Sequence, residues 1–276
     1  MTAPTDQPAV AISGLRCRRG GRETLAIDEL QITAGERVGL IGPNGAGKST
    51  LLRCLNGLGR AEEGELQVLG RPLGALRGAA LRALRSEIGH VMQGLHLVAR
   101  LSALENVLIG ALHRVPGWRS WARIYPPADI AAAEAALQRV GLLALAATRA
   151  DRLSGGERQK LAVARMLLQR PRLILADEPT ASLDPQAATE ICSLLVDAAG
   201  SATLITVVHS PALLPQLADR VIGLRDGRIK FDLLVNQVDS QLLDDLYRAR
   251  PDVLRSAPDN MQSDNFWRTS IRPSTD

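Results

Sequence analysis

Aromatic residues are nearly missing from this chain of 276 residues: three Trp, two Tyr and two Phe, 3% of the total. A core cannot be built on rings at that level. It must come from Leu, Val, Ile and Ala within a hydrophobic fraction of 46%. Lysine is also scarce, occurring only at positions 48, 160 and 230, and Arg carries the positive charge elsewhere. The three cysteines, Cys17, Cys54 and Cys192, are far apart and match no metal-ligand spacing, which fits a reduced cytosolic compartment. No run of about 18 apolar residues occurs, so no segment is expected to span a membrane alone. The first ten residues are polar, with two prolines and no apolar stretch, and read as no signal peptide. The formal charge of +4 and the pI of about 9.3 come from scattered basic residues. A solvated surface is expected, not a nucleic-acid partner.

Against these absences stands one glycine-rich stretch, Gly42-Pro43-Asn44-Gly45-Ala46-Gly47-Lys48-Ser49-Thr50. It fits the phosphate-binding pattern of glycine, four residues, then Gly-Lys-Ser. The apolar run 38–41 before it reads as a buried strand, and a helix should begin near Lys48. Glycines let successive backbone N–H groups curl around an anion, and the helix start adds its positive end. Lys48 reaches the outer phosphates and the Ser49 hydroxyl ligates Mg²⁺. In a chain so poor in lysine, one kept here points to a compact ammonium and not a planar fork.

Strands are expected at 10–15 and 25–32 around a turn at Gly20-Gly21, at 65–69, at 87–92, and at 172–176 and 202–208. Asp226-Gly227 marks a hairpin joining 220–224 to 228–231. Helical periodicity covers 48–56, 73–85, 101–112, 129–140, 142–147, 154–168 and 184–199. Ser154 with Glu157 has the form of a capping box, and Asp184-Pro185 that of an N-cap followed by Pro. Residues 1–7 and 251–276 read as disordered. Alternating strands and helices argue for a mostly parallel sheet. The class is therefore α/β, a P-loop NTPase core of RecA-like type. An antiparallel β subdomain accompanies it, and a helical subdomain is inserted at about 94–155.

Asp177-Glu178 closes the apolar strand before it, where ligands sit in such sheets. Asp177 would hold Mg²⁺ directly or through water, and Glu178 would polarise the attacking water as general base. Leu153-Ser154-Gly155-Gly156-Glu157 starts a helix with two glycines, leaving backbone N–H groups open beside a Ser hydroxyl. This last motif resembles the signature of the ATP-binding cassette (ABC) ATPases. The resemblance covers about residues 8–232 and leaves 233–250 as a short helical extension. It implies that Gln93 is the Q-loop glutamine, sensing Mg²⁺ and water. Ser182 and Asp184 would belong to the D-loop, and His209 would be the switch histidine at the γ-phosphate. It also implies that ATP is sandwiched between the P-loop of one copy and the signature of a second, in a head-to-tail pair. The family usually stacks adenine on an early aromatic, yet no Phe, Trp or Tyr precedes Trp118. In the matching segment, Arg16-Cys17-Arg18-Arg19, the Arg19 guanidinium is the expected substitute.

The segments 94–110 and 116–129, with Gly117-Trp118-Arg119-Ser120-Trp121, are similar to the ATPase subunits of phosphonate importers. That similarity implies an ATPase at the cytoplasmic face of the inner membrane. It would pair with integral permease subunits and, through them, an extracytoplasmic binding protein, and drive uptake of phosphonate or a related phosphorus oxyanion. The Trp residues would either pack within the insertion or help dock a permease helix. The alternative is a soluble ABC ATPase, such as a subunit of a carbon–phosphorus lyase complex.

Overall fold

The computed structural model describes residues 8–92, 94–115, 117–121, 123–181 and 183–248, without the side chains of Arg19, Ser120 and Trp121. The expectations for 1–7, Gln93, Ser182, the Arg19 and Trp121 side chains and 251–276 lie outside the described residues.

Two sheets carry the fold. The first is antiparallel, in the order β2-β1-β4-β5, from β1 (Pro8–Arg19), β2 (Arg22–Thr33), β4 (Glu63–Val68) and β5 (Arg71–Pro72). Gly20 and Gly21, both at positive φ, make the tight β1–β2 turn. The second sheet has six strands in the order β10-β9-β3-β8-β7-β6. These are β3 (Arg37–Ile41), β6 (Ile88–Val91), β7 (Leu173–Asp177), β8 (Thr203–Val207), β9 (Arg220–Arg225) and β10 (Arg228–Leu234). All neighbours are parallel except the β9–β10 hairpin at the edge.

The strands of the parallel sheet are apolar on both faces because both are covered. In β7, Leu173 and Leu175 enter one core cluster while Ile174 and Ala176 enter another. The first cluster joins this sheet to α1 (Lys48–Leu55) and the antiparallel sheet through Leu51, Leu52, Ile12 and Ile27. The second holds α3 (Ala103–Leu108), α5 (Pro127–Arg139), α6 (Gly155–Gln169) and α7 (Pro185–Ala199). The third brings α8 (Leu214–Leu217) and α9 (Ser240–Tyr247) behind Ile41. The remaining helices are α2 (Gly78–Ser86) and α4 (Gly117–Trp121).

Several elements differ from their sequence patterns. The helical pattern of 73–85 is split: a 3₁₀ turn at Leu73–Ala75, two extended residues, then α2. Glycines at 74 and 78 weaken a continuous helix there. The stretch 142–147 supplies only a 3₁₀ turn at Leu143–Leu145. The strand expected at 228–231 runs to Leu234, so the helical extension begins only at Ser240. No described helix is long and apolar enough to cross a membrane.

Candidate nucleotide site

The sheet order explains how distant motifs meet. β3, β8 and β7 are neighbours and parallel, so their C-terminal ends share one edge. The phosphate loop follows β3, His209 follows β8 and Asp177-Glu178 closes β7. β6 is next to β7, and the position of Gln93 follows it.

Gly42 opens the loop at φ 146°, and Gly47 caps α1 at φ 103°. These are conformations for which glycine is suited. A Cβ on Gly42 would lie 2.0 Å from the Leu224 carbonyl oxygen. Lys48 is 6% exposed. Its Nζ donates to the Gly42 carbonyl at 2.6 Å and the Pro43 carbonyl at 3.1 Å. Burial pushes its pKa down, and the carboxylates of Glu178 and Asp177 oppose that shift. The ammonium therefore rests on the loop's own carbonyls, where phosphate oxygens would be stronger partners.

Ser49 Oγ lies 3.4 Å from Asp177 Oδ1. Burial is the main cause that raises the Asp177 pKa, with Ser49 acting against it and Glu178 adding to it. A half-buried carboxylate beside a hydroxyl is a hard oxygen donor set. It suits Mg²⁺, which takes one or two protein oxygens and completes its shell with phosphate and water. His209 Nε2 lies 2.5 Å from Glu178 Oε1, within hydrogen-bond distance. Glu178 sits at φ 53°, a left-handed conformation unusual for a side chain of its size.

Ser154 N-caps α6 with the full capping box. Its Oγ accepts from the Glu157 N–H at 3.3 Å, and Glu157 Oε2 accepts from the Ser154 N–H at 2.7 Å. These bonds lower the Glu157 pKa, the backbone one most. A Cβ on Gly155 or Gly156 would meet nothing within 4 Å. α1 packs in the first core cluster and α6 in the second, on opposite faces of β7. Asp184 caps α7, accepting from the N–H groups of Gln186 at 3.1 Å and Ala187 at 2.9 Å. Arg16 pairs with Asp28, and Arg18 lies within 3.7 Å of Glu62 and 3.5 Å of Glu63. Cys17 turns inward against Cys54, with 3.4 Å between the sulfurs.

Three positioning side chains escape a motif search. Gln159, buried on α6, donates to the Pro179 carbonyl just after Glu178. Arg165, also on α6, donates to the carbonyls of Leu95 at 2.6 Å and His96 at 2.8 Å, holding the segment after Gln93. Its signal in the sequence is a charge inside the apolar run Leu161-Ala162-Val163-Ala164-Arg165-Met166-Leu167-Leu168. Tyr247 hydrogen-bonds the phosphate loop from α9 and has no sequence signal.

Comparison with known proteins agrees with this geometry. The profile of the family described as "ABC transporter" matches residues 25–181. A phosphonates import ATP-binding protein of Frankia casuarinae is 45% identical over 248 residues, covering 88% of this chain and 97% of the relative. One from Nocardia farcinica is 46% identical over 239 residues, covering 85% and 89%. Among solved structures, a dimeric ATP-binding cassette in a post-hydrolysis state bound to ADP and Pi superposes with a TM-score of 0.72. It is 29% identical and covers 82% of this chain and 98% of that one. The cbiO1 protein of Clostridium perfringens, part of an ABC transporter complex, gives a TM-score of 0.74 at 27% identity, covering 86% and 92%. With its phosphate loop, acidic strand end and signature helix on this architecture, the chain belongs to the ABC transporter family of ATP-binding proteins.

Proposed function

We propose that this chain is the ATP-hydrolysing subunit of an importer for phosphonate or a related phosphorus oxyanion. The activity rests on one observation above all. Lys48, Ser49, Asp177, Glu178 and His209 converge from three adjacent strand ends, with Ser49 reaching Asp177, His209 reaching Glu178, and both carboxylates acting on the Lys48 ammonium. The substrate class rests on the likeness to the phosphonate import proteins.

The ATPase domain spans about residues 8–234, with the helical insertion at about 94–155, and the short helical extension begins at Ser240. The backbone of residues 42–50 cradles the phosphates, and Lys48 exchanges its two carbonyl partners for phosphate oxygens. Ser49 and Asp177, joined by Gln93, would hold Mg²⁺, which would neutralise phosphate charge. Glu178 takes the proton of the attacking water as general base. His209 turns from Glu178 to the γ-phosphate. The adenine lies against Arg19. Ser154, Gly155, Gly156 and Glu157 of one copy complete the phosphate site of a second copy in a head-to-tail pair. Ser182 and Asp184 lie at the seam of that pair. The placement of α1 and α6 on opposite faces of the sheet supports a site completed by a partner chain. The dimer works at the cytoplasmic side of a membrane through permease subunits, and an extracytoplasmic binding protein delivers the solute.

The test is reconstitution with the permease subunits in liposomes, adding a binding protein loaded with phosphonate, phosphite or phosphate. Loaded binding protein should stimulate hydrolysis, and Lys48→Ala and Glu178→Gln should abolish the response. Co-purification with a soluble enzyme complex and no membrane partner would sink the import reading. Wild-type turnover in Glu178→Gln would remove it as general base.

A further inference from the structure

The end of α9 touches the first peptide of the phosphate loop, and the reading above makes no use of that contact. The Gly42 N–H donates to the Tyr247 hydroxyl at 3.2 Å. The same glycine is packed so closely on β9 that a Cβ would meet the Leu224 carbonyl. The loop therefore begins at a peptide clamped between a strand and a tyrosine. Glycine has the widest backbone freedom of any residue, so an outside clamp matters most at such a position.

α9 is itself firmly seated. Asp239 caps its start, accepting from the Leu242 N–H at 2.8 Å. Leu246 is 3% exposed and shares a core cluster with Ile41, the residue before Gly42. The Arg225 guanidinium collects carbonyls at the helix end: Asp245 at 2.7 Å, Leu246 at 3.4 Å and Arg248 at 2.6 Å. Such carbonyls lack partners within a helix, and Arg is suited to gather them. Arg225 precedes the hairpin turn whose Gly227 N–H donates to the Ala46 carbonyl at 3.0 Å. One hairpin thus braces the loop at its middle directly and at its first residue through α9.

We infer that Tyr247 is a positioning residue for nucleotide, its hydroxyl fixing the first peptide of the phosphate loop, with α9 as part of the binding apparatus. The inference rests on residues 42–50 being the nucleotide site. Without the hydroxyl, binding must itself order the Gly42 peptide. Nucleotide affinity falls while the chemistry, carried by Glu178 and its neighbours, does not change.

The experiment uses the full chain as wild type, Tyr247→Phe and Lys48→Ala. Calorimetric titration with ATP and steady-state kinetics are read beside thermal melting. Tyr247→Phe keeps the ring and so the packing of α9. It should raise both the dissociation constant and KM by about three- to tenfold, the loss of one hydrogen bond. The kcat should stay at the wild-type value, and the melting temperature should fall by no more than about 2–4 °C, the equivalent of one hydrogen bond in a domain of this size. Wild-type affinity in Tyr247→Phe overturns the inference. So does a fall in melting temperature or kcat with KM unchanged, which would make the tyrosine merely structural. Lys48→Ala separates the two claims. If it loses ATP binding while Tyr247→Phe does not, only the role of Tyr247 fails; if it binds normally, the nucleotide site itself has been misread.

Discussion

Replacing both signature glycines by alanine should move stability and activity in opposite directions. Gly155 and Gly156 are the first two residues of α6, in ordinary helical space, and an added Cβ meets nothing within 4 Å. Alanine is the better helix former by about 0.5–1 kcal/mol in a helix interior, and by less in the first turn. The capping box uses Ser154 and Glu157 and is untouched. The double variant should therefore melt at the wild-type temperature or higher. A gain of about 1 kcal/mol corresponds to roughly 2–4 °C in a domain of this size. Within one chain, nothing explains why glycine is kept here.

The explanation offered is a second chain. If the phosphates of ATP bound to a partner approach these N–H groups, a methyl group holds them off. Losing one hydrogen bond to a charged group costs about 1.5–3 kcal/mol, or roughly ten- to a hundredfold in rate. Binding of ATP to the phosphate loop of the isolated chain should not change. The assay pairs thermal melting with ATPase turnover at concentrations that allow dimers, and with ATP titration of the monomer. Wild-type turnover in the double variant would refute the composite site. A lowered melting temperature would refute the claim that the space above these glycines is open.

Gly42→Ala should destabilise the fold by about 3 kcal/mol or more, because its Cβ would sit 2.0 Å from a backbone oxygen at φ 146°. Gly45→Ala, with open space at φ 81°, should cost only about 1–2 kcal/mol, and urea unfolding of the two variants orders them. His90 is pushed by burial from 6.5 to about 4, with His96 a smaller cause, so the folded chain resists protonation that the unfolded chain accepts. Its contribution is complete above pH 6.5 and is lost as pH falls from 6.5 toward 4, by about 3 kcal/mol at most, and His90→Gln should flatten unfolding curves over that range. Asp177→Asn should stabilise the nucleotide-free chain at neutral pH by removing a desolvated charge, while weakening ATP hydrolysis. That advantage should shrink as pH falls through the raised pKa, where wild-type Asp177 also becomes neutral.

The legible parts of the fold are those fixed by local chemistry. Ser154 and Glu157 announce the start of α6, Asp184-Pro185 that of α7, and Asp226-Gly227 the last hairpin, all within a few residues of chain. The phosphate loop, the acidic pair and His209 are legible because each follows or closes an apolar strand of the same sheet, and the signature because its capping box opens a helix. What escapes is set by distance along the chain. β1 pairs with β4, and no local pattern in 63–68 says so. The split in 73–85 turns on two glycines against a strong apolar period. Tyr247 meets Gly42 across 205 positions through a docked helix, and a lone tyrosine in a polar segment gives no hint of it. Cys17 and Cys54 look unrelated in sequence, yet their sulfurs are 3.4 Å apart because β1 covers α1.

The candidate site residues find their partners within the chain itself. Lys48 holds two loop carbonyls, Ser49 lies within reach of Asp177, and His209 holds Glu178. Each is the bond that nucleotide would replace. Exchanging one hydrogen bond for another changes the free energy little, so nucleotide would displace these partners at small cost. The Glu178–His209 contact differs from the others because it joins the two residues proposed above as general base and γ-phosphate contact. Glu178 is also held at φ 53°, a conformation costing about 1 kcal/mol or more that its surroundings must impose. On the function proposed above, a γ-phosphate that draws His209 toward itself would break this contact only once nucleotide is bound. Under that proposal, the general base and the attacking water would meet only when nucleotide is bound.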